Sequence, residues 1–149
     1  MLTYCFESTY IPRTLAKCKR NDLAVVDTEG QESAVRTAVK RGVYVYGYLN
    51  VGAIESGRSY YENFHHIRLA KYSGWDGEYW INPTAKEWQD HCVALAKQIK
   101  ATGAIGLYLD NTDIYYMCQQ GFKEEKTKRL RSAPSSQAVY TALSNIILK

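Results

Sequence analysis

Short apolar stretches alternate along this chain with stretches of helical periodicity. Between the apolar stretches, hydrophobic side chains recur three and four residues apart, as in residues 34–39, and Gly42 ends that predicted helix. Repeated strand–helix units build a parallel sheet with right-handed crossovers, so the predicted fold class is α/β. At 149 residues the chain has the length of one domain. The apolar stretches predict strands at residues 3–6, 23–26, 43–49, 78–81 and 105–109.

Two architectures fit this pattern, a partial (β/α)8 TIM-type barrel with about five parallel strands and an open five-stranded parallel sheet. A complete barrel takes about 250 residues, and this sequence stops at Lys149 inside a predicted helix. Strand order separates the two, since 1-2-3-4-5 indicates the barrel and 2-1-3-4-5 the open sheet. No glycine-rich phosphate loop follows a predicted strand, which disfavours nucleotide binding.

Acidic residues follow the predicted strands where those strands end. Asp110, Asn111 and Asp113 follow residues 105–109, an apolar run typical of a fully buried strand, and Asp27 follows the second strand. Glu55 lies in the loop after the third. Because the carboxyl ends of parallel strands meet at one rim, these side chains are predicted to share a cleft. The alternative is that Asp110 caps the next segment and Asp113 is a solvated turn residue.

Clustered carboxylates shift one another's pKa values, so that one stays protonated while another stays ionised. Glycoside hydrolysis uses such a pair. Glu55 and Arg58 are three residues apart, and a local ion pair and a ligand clamp are equally supported. The sequence D-N-T-D lacks the length and final Glu of a calcium loop, so neither a metal nor another cofactor is expected.

Aromatic residues are abundant, with thirteen Tyr and three Trp in the chain. Tyr48, Trp75 and Tyr115 are candidates for stacking on sugar rings, although core packing is the better interpretation for any single one. Tyr44 and Tyr46 share a strand face with Tyr48, and the sequence leaves that face unassigned.

The formal net charge of +4 comes largely from one basic run between Lys123 and Arg131. Such a run is typical of a solvated segment, so no nucleic-acid partner is expected. The four cysteines lack C-x-x-C spacing, which favours free buried thiols. No apolar run reaches the roughly 20 residues of a membrane span, and no signal peptide precedes residues 2–6. We therefore expect no membrane partner.

Three ordered stretches resemble the endo-α-1,4-polygalactosaminidase family, glycoside hydrolase family 114. They are Y-L-N-V-G-A-I-E-S-G-R-S-Y-Y at 48–61, W-D-G-E-Y-W-I-N at 75–82 and G-L-Y-L-D-N-T-D-I-Y at 106–115. The resemblance implies a TIM-type barrel that cleaves α-1,4-linked galactosamine polymers, outside the cell or at its surface. By position it implies that Asp110 is a catalytic carboxylate, and that the same cleft is lined by Asp27, Glu55, Arg58 and Asp113.

This family implies a further catalytic carboxylate on a strand later than the fifth, and the sequence has no such strand. We therefore expect weak or no activity from this chain by itself. Either the sequence is a fragment, or a partner completes it, or it is a degenerate remnant. The missing strands would leave open sheet edges, through which self-association is expected. The alternative function is a non-catalytic carbohydrate-binding remnant of the same barrel.

Overall fold

The computed structural model describes residues 1–123 and 129–149. Of the basic run, Lys126 and Lys128 lie outside the described residues, while Lys123, Arg129 and Arg131 are exposed. The elements are β1 (Leu2–Cys5), α1 (Ile11–Lys17), β2 (Leu23–Val26), α2 (Glu32–Lys40), β3 (Tyr44–Asn50), β4 (Ala53–Glu55), α3 (Tyr61–Phe64), a 3₁₀ turn (His65–Ile67), β5 (Arg68–Lys71), β6 (Glu78–Ile81), α4 (Lys86–Ala101), β7 (Gly106–Asp110), α5 (Ile114–Gln119) and α6 (Ser136–Ile147).

The chain forms two compact units, each built from two segments. The first unit comprises Met1–Leu49 and Ala94–Leu109, and the second comprises Asn50–Val93 and Asp110–Lys149. The prediction that residues 1–149 form a single domain stays a prediction.

The first unit contains the parallel sheet, whose strand order is β1-β2-β3-β7. This sequential order confirms the partial barrel and excludes the open sheet, which would place the first strand inside. The sheet has four strands rather than about five. The strand predicted at residues 78–81 exists as β6, but it pairs antiparallel with β4 and β5 in a separate three-stranded sheet of the second unit.

One face of the parallel sheet is covered by helices. Val26 and Val45 are completely buried there against Leu15 of α1 and Val35 of α2. This arrangement follows from the sequence, because α2 presents its apolar residues on one side and ends where Gly42 adopts a φ of +85°. Gly47 lets α4 approach, since a Cβ at this position would lie 2.2 Å from Cγ2 of Ile99.

The opposite face of the same sheet carries an aromatic cluster, which we call the aromatic face: Tyr4, Phe6, Tyr48 and Tyr108. The Phe6 and Tyr48 ring centroids lie 5.0 Å apart, and the Tyr48 and Tyr108 rings are stacked at 6.5 Å. Tyr4, Phe6 and Tyr108 are all exposed. The tyrosines of β3 therefore point away from the helix-covered face.

The prediction that residues 105–109 form a fully buried strand is wrong. β7 is an outer strand of the sheet, and Ile105, Leu107 and Tyr108 are 55%, 37% and 41% exposed. An apolar sequence cannot show how many strands flank the strand that it forms. Among the described residues, β7 has a neighbouring strand, β3, on one side only.

The prediction of free buried thiols holds for Cys18, Cys92 and Cys118, whereas Cys5 is only half-buried. All four thiols are free, and burial raises the pKa of Cys118 to about 11 and that of Cys92 to about 12. Thiols with such high pKa values remain protonated and unreactive at neutral pH. Within the described residues, none of the helices combines the length and the apolar character that a bilayer crossing requires.

Candidate active site

The candidate site lies in the second unit, around the residue that ends β7. Asp110 is half-buried, and its Oδ1 accepts a hydrogen bond from the backbone N–H of Asn111 at 2.9 Å. The carbonyl oxygen of Asp110 accepts from the N–H of Val51 at 3.1 Å. Both polar groups of the peptide between Asp110 and Asn111 are therefore hydrogen-bonded, which holds the backbone next to the carboxylate.

Asn111 has a backbone conformation that asparagine tolerates better than most residues, with φ at +55°. Its side chain is buried, and its Nδ2 donates to Oδ1 of Asn50 at 3.1 Å and to Oε1 of Glu78 at 3.2 Å. Asn50 Nδ2 donates to the same Glu78 oxygen at 3.0 Å, while its Oδ1 also accepts from the N–H of Ala53 at 2.8 Å. We call these three side chains the amide–carboxyl network: Asn50, Glu78 and Asn111.

Glu78 is a functional candidate that the sequence analysis missed. It lies in β6 and is only 7% exposed. Burial raises the pKa of its carboxyl group, the charges of Glu55 and Asp110 raise it further, and the hydrogen bonds from Asn50 and Asn111 oppose the shift. The sequence does contain a hint of this burial. Glu78 and Trp80 are two residues apart, so they lie on the same face of β6, and Trp80 is in the core.

Glu55 lies directly across from Glu78 in the β4–β6 ladder. Its Oε1 accepts from Nη2 of Arg58 at 3.0 Å, so the local ion pair, one of the two alternatives for these residues, is present. The side chain of Glu55 is 40% exposed, whereas that of Arg58 is 14% exposed. Glu55 therefore combines a charged partner on one side with access to solvent.

The remaining predicted site residues differ in their surroundings. Trp75 is 70% exposed on the turn before β6, and Tyr115 is exposed in the first turn of α5. Asp113 is exposed and precedes α5, but its side chain makes no capping hydrogen bond. Exposed aromatic faces of this kind are available for stacking.

Asp27 and Tyr48 belong to the first unit. Asp27 follows β2, and its Oδ1 accepts from the N–H of Glu29 at 3.1 Å. Tyr48 is half-buried in the aromatic face. The prediction that Asp27 shares one rim with Glu55 and Asp110 stays a prediction.

No group of three or more His, Cys, Asp or Glu side chains is arranged to hold a metal ion within residues 1–123 and 129–149. The second unit contains three neighbouring carboxyl groups whose environments differ. Glu78 is buried and hydrogen-bonded, Glu55 is paired with a cation, and Asp110 is half-buried at a strand end. Such unequal environments are what acid–base chemistry by carboxylates requires.

Two solved glycoside hydrolase structures share this fold. The glycoside hydrolase domain of PelA from Pseudomonas aeruginosa aligns with a TM-score of 0.68 at 14% identity, covering 97% of this chain and 54% of that domain. Aspergillus fumigatus Ega3, in a complex with galactosamine, aligns with a TM-score of 0.71 at 13% identity, covering 97% of this chain and 53% of that one. This chain therefore spans about half the length of both.

At the sequence level, an uncharacterized protein of Thermotoga maritima is 26% identical over 114 residues, which is 67% of this chain and 35% of that protein. The family model of glycoside-hydrolase family GH114 matches residues 3–147. That match covers nearly the whole chain, and the protein therefore belongs to glycoside-hydrolase family GH114.

Proposed function

We propose that this chain carries part of the active site of an endo-acting glycosidase, with Asp110 as a catalytic carboxylate. The observation that carries the proposal is the position of Asp110 at the carboxyl end of β7, near two other acids in different environments. Glycoside hydrolysis uses carboxyl groups whose pKa values differ, one as an acid and one as a base or nucleophile. This chemistry requires neither a metal nor another cofactor.

The proposed substrate is an α-1,4-linked polysaccharide rich in galactosamine. Deacetylated galactosamine is cationic, so several carboxylates attract it through charge as well as through hydrogen bonds. The complex of Ega3 with galactosamine supports this substrate class by analogy of fold. The residues proposed to bind substrate are Asp27, Tyr48, Glu55, Arg58, Trp75, Asn111, Asp113 and Tyr115.

Product release from purified oligomers of α-1,4-linked galactosamine tests the catalytic assignment. We expect Asp110→Asn to lower the rate by about a hundredfold or more, because the amide neither gives nor takes a proton. Asp76→Asn is the matched control, since Asp76 is 98% exposed and pairs with Lys71 on the surface. Equal turnover by wild type and Asp110→Asn would contradict the assignment.

The alternative is a carbohydrate-binding chain without turnover. The exposed Trp75 favours it, since an exposed indole binds a sugar ring without any catalytic group. Calorimetric titration with the same oligomers distinguishes the two functions. Binding that Trp75→Ala abolishes, together with no product from wild type, would establish the binding function.

We also propose that copies of this chain associate through the outer strands of the parallel sheet. Leu107 in β7 and Leu2 in β1 are both exposed, and open strand edges pair readily with other chains. Sedimentation equilibrium tests this proposal, and we expect Leu107→Lys to shift the wild-type distribution towards monomer. A wild type that stays monomeric at high concentration would refute it.

An extracellular or cell-surface location is a further proposal, which the family resemblance supports. Fractionation of cells that express the natural gene, followed by immunodetection of this chain in medium, wall and lysate, tests the location directly. Recovery from the lysate alone would contradict it.

A further inference from the structure

Glu78 is the only acidic or basic residue among the buried residues that the structure describes. Its neighbours in β6 are apolar, with Trp80 and Ile81 both almost completely buried. A carboxyl group in such surroundings is costly unless hydrogen bonds satisfy it. Glu78 is not among the residues proposed to catalyse or to bind substrate, although it is one of the neighbouring acids of the site, so its burial calls for an explanation of its own.

The hydrogen bonds of Glu78 join three segments that are distant in sequence. Oε1 of Glu78 accepts from Nδ2 of Asn50, the last residue of β3, and from Nδ2 of Asn111, the first residue after β7. The two asparagines are themselves joined by the 3.1 Å bond from Asn111 Nδ2 to Asn50 Oδ1. The network is therefore a closed triangle, and removing one member takes one hydrogen bond from each of the other two.

Asn111 connects this triangle to Asp110. Its side chain belongs to the triangle, while its backbone N–H donates to the Asp110 carboxylate. The backbone of Asn111 is also closely packed, since a Cβ on Gly52 would lie only 1.9 Å from its carbonyl oxygen. Rotation of the peptide between Asp110 and Asn111 would break the bond from Val51 N–H to the Asp110 carbonyl and the bond from Asn111 N–H to the Asp110 carboxylate. Rotation of the following peptide would drive the Asn111 carbonyl against Gly52.

We propose that Glu78 is a positioning residue, which acts through the amide of Asn111 to hold the Asp110 carboxylate in one orientation. This inference deepens the proposed function, because it concerns the segment that presents Asp110. Its test reads hydrogen exchange and not turnover, so a chain that fails to hydrolyse polysaccharide leaves the inference standing.

The charges around Glu78 disfavour its ionised form. Glu55 faces it from β4 and Asp110 from the end of β7, and both disfavour a negative charge on Glu78, as does burial. Arg58 is paired with Glu55. The raised pKa of Glu78 favours its neutral acid, which still offers Oε1 to both asparagine amides. A glutamine has the same shape and the same acceptor, so Glu78→Gln is the conservative variant.

Backbone hydrogen exchange of Asn111, followed by NMR on the full chain, reports the hydrogen bond to Asp110. We expect protection in the wild type, exchange about tenfold faster in Glu78→Leu, and a return to nearly the wild-type rate in Glu78→Gln. Rates are read relative to the amide of Val139 in α6, which removes any general loss of stability. Glu55→Gln is the control, because it replaces the glutamate opposite Glu78 by the same amide. We expect it to leave the exchange rate of the Asn111 amide unchanged.

Asn111→Gly provides a second measurement if Glu78→Leu does not fold. Glycine keeps the positive φ but lacks the amide, so exchange at residue 111 accelerates while Glu78 is intact. Wild-type protection in either Glu78→Leu or Asn111→Gly would overturn the proposal. An unprotected Asn111 amide in the wild type would overturn it as well, because Asp110 would then not be held.

Discussion

The amide–carboxyl network and the aromatic face reverse the usual division between a polar surface and an apolar interior. In the second unit Asn50, Glu78 and Asn111 are buried, and in the first unit the rings of Tyr4 and Tyr108 are exposed. The buried polar groups are hydrogen-bonded to one another, which offsets the cost of removing them from water. The exposed rings of Tyr4 and Tyr108 pack against each other and against Phe6. We therefore expect the network to be sensitive to substitution and the aromatic face to be tolerant.

The largest effect is expected at the closest backbone contact of the network. In Gly52→Ala the new Cβ would lie 1.9 Å from the carbonyl oxygen of Asn111, and backbone rather than a flexible side chain must move. We expect the free energy of unfolding to fall by about 3 kcal/mol or more, measured by urea denaturation.

Gly57→Ala is the control for this prediction, since nothing lies within 4 Å of a Cβ at that position. Its cost should stay below about 0.5 kcal/mol. If Gly52→Ala lowers the free energy of unfolding as little as Gly57→Ala does, the backbone after β7 can move at little cost. The network would then be no more sensitive to substitution than the aromatic face.

An intermediate loss of unfolding free energy is expected for a substitution on the helix-covered face of the parallel sheet, and a smaller loss on the aromatic face. Val45 is fully buried on the helix-covered face, so Val45→Ala should cost about 2 kcal/mol in unfolding free energy. Tyr108→Ser, on the aromatic face, should cost less than about 1 kcal/mol because the ring is already 41% exposed. Equal costs for the two variants, in the same urea experiment, would mean that the aromatic face is covered in solution.

The smallest effect is the pH dependence of stability that Glu78 introduces. Its pKa is raised in the folded state, so between the unfolded and folded pKa values the folded chain binds more protons. Stability is then lost as pH rises above the ordinary glutamate range. We expect Glu78→Gln to gain stability relative to wild type as pH rises above the usual glutamate pKa of about 4.3.

Urea denaturation of both chains at several pH values measures this difference. Surface aspartates with lowered pKa values, such as Asp76 and Asp90, have the opposite pH dependence, but they are identical in the two chains and cancel. A difference that shrinks as pH rises would contradict the raised pKa of Glu78.

Much of the fold could be predicted because the residues that specify each helix and strand lie close together in the sequence. The apolar positions of α2 and the stop at Gly42 lie within a few residues of one another, and the strands at residues 23–26 and 44–50 are marked by short apolar runs. The position of Asp110 at a strand end is equally local. These features followed directly from the pattern of residues.

The network was not predictable in the same way, because its partners are far apart in sequence. Glu78 lies 28 residues from Asn50 and 33 from Asn111, and no local rule links such positions. The exposure of β7 was missed for a related reason, since the apolar run of residues 105–109 is identical whether one or two strands flank it. Burial depends on neighbours that only the assembled chain supplies.

The left-handed backbone at Asn111 restricts what mutation can achieve there. Glycine accommodates the dihedral angle but has no amide, while glutamine has an amide but a longer side chain and a less tolerant backbone. A saturation library at codon 111, selected for folded protein that keeps the wild-type geometry, should therefore return asparagine almost alone. Such invariance would arise from conformational necessity, even if this side chain never contacts a sugar.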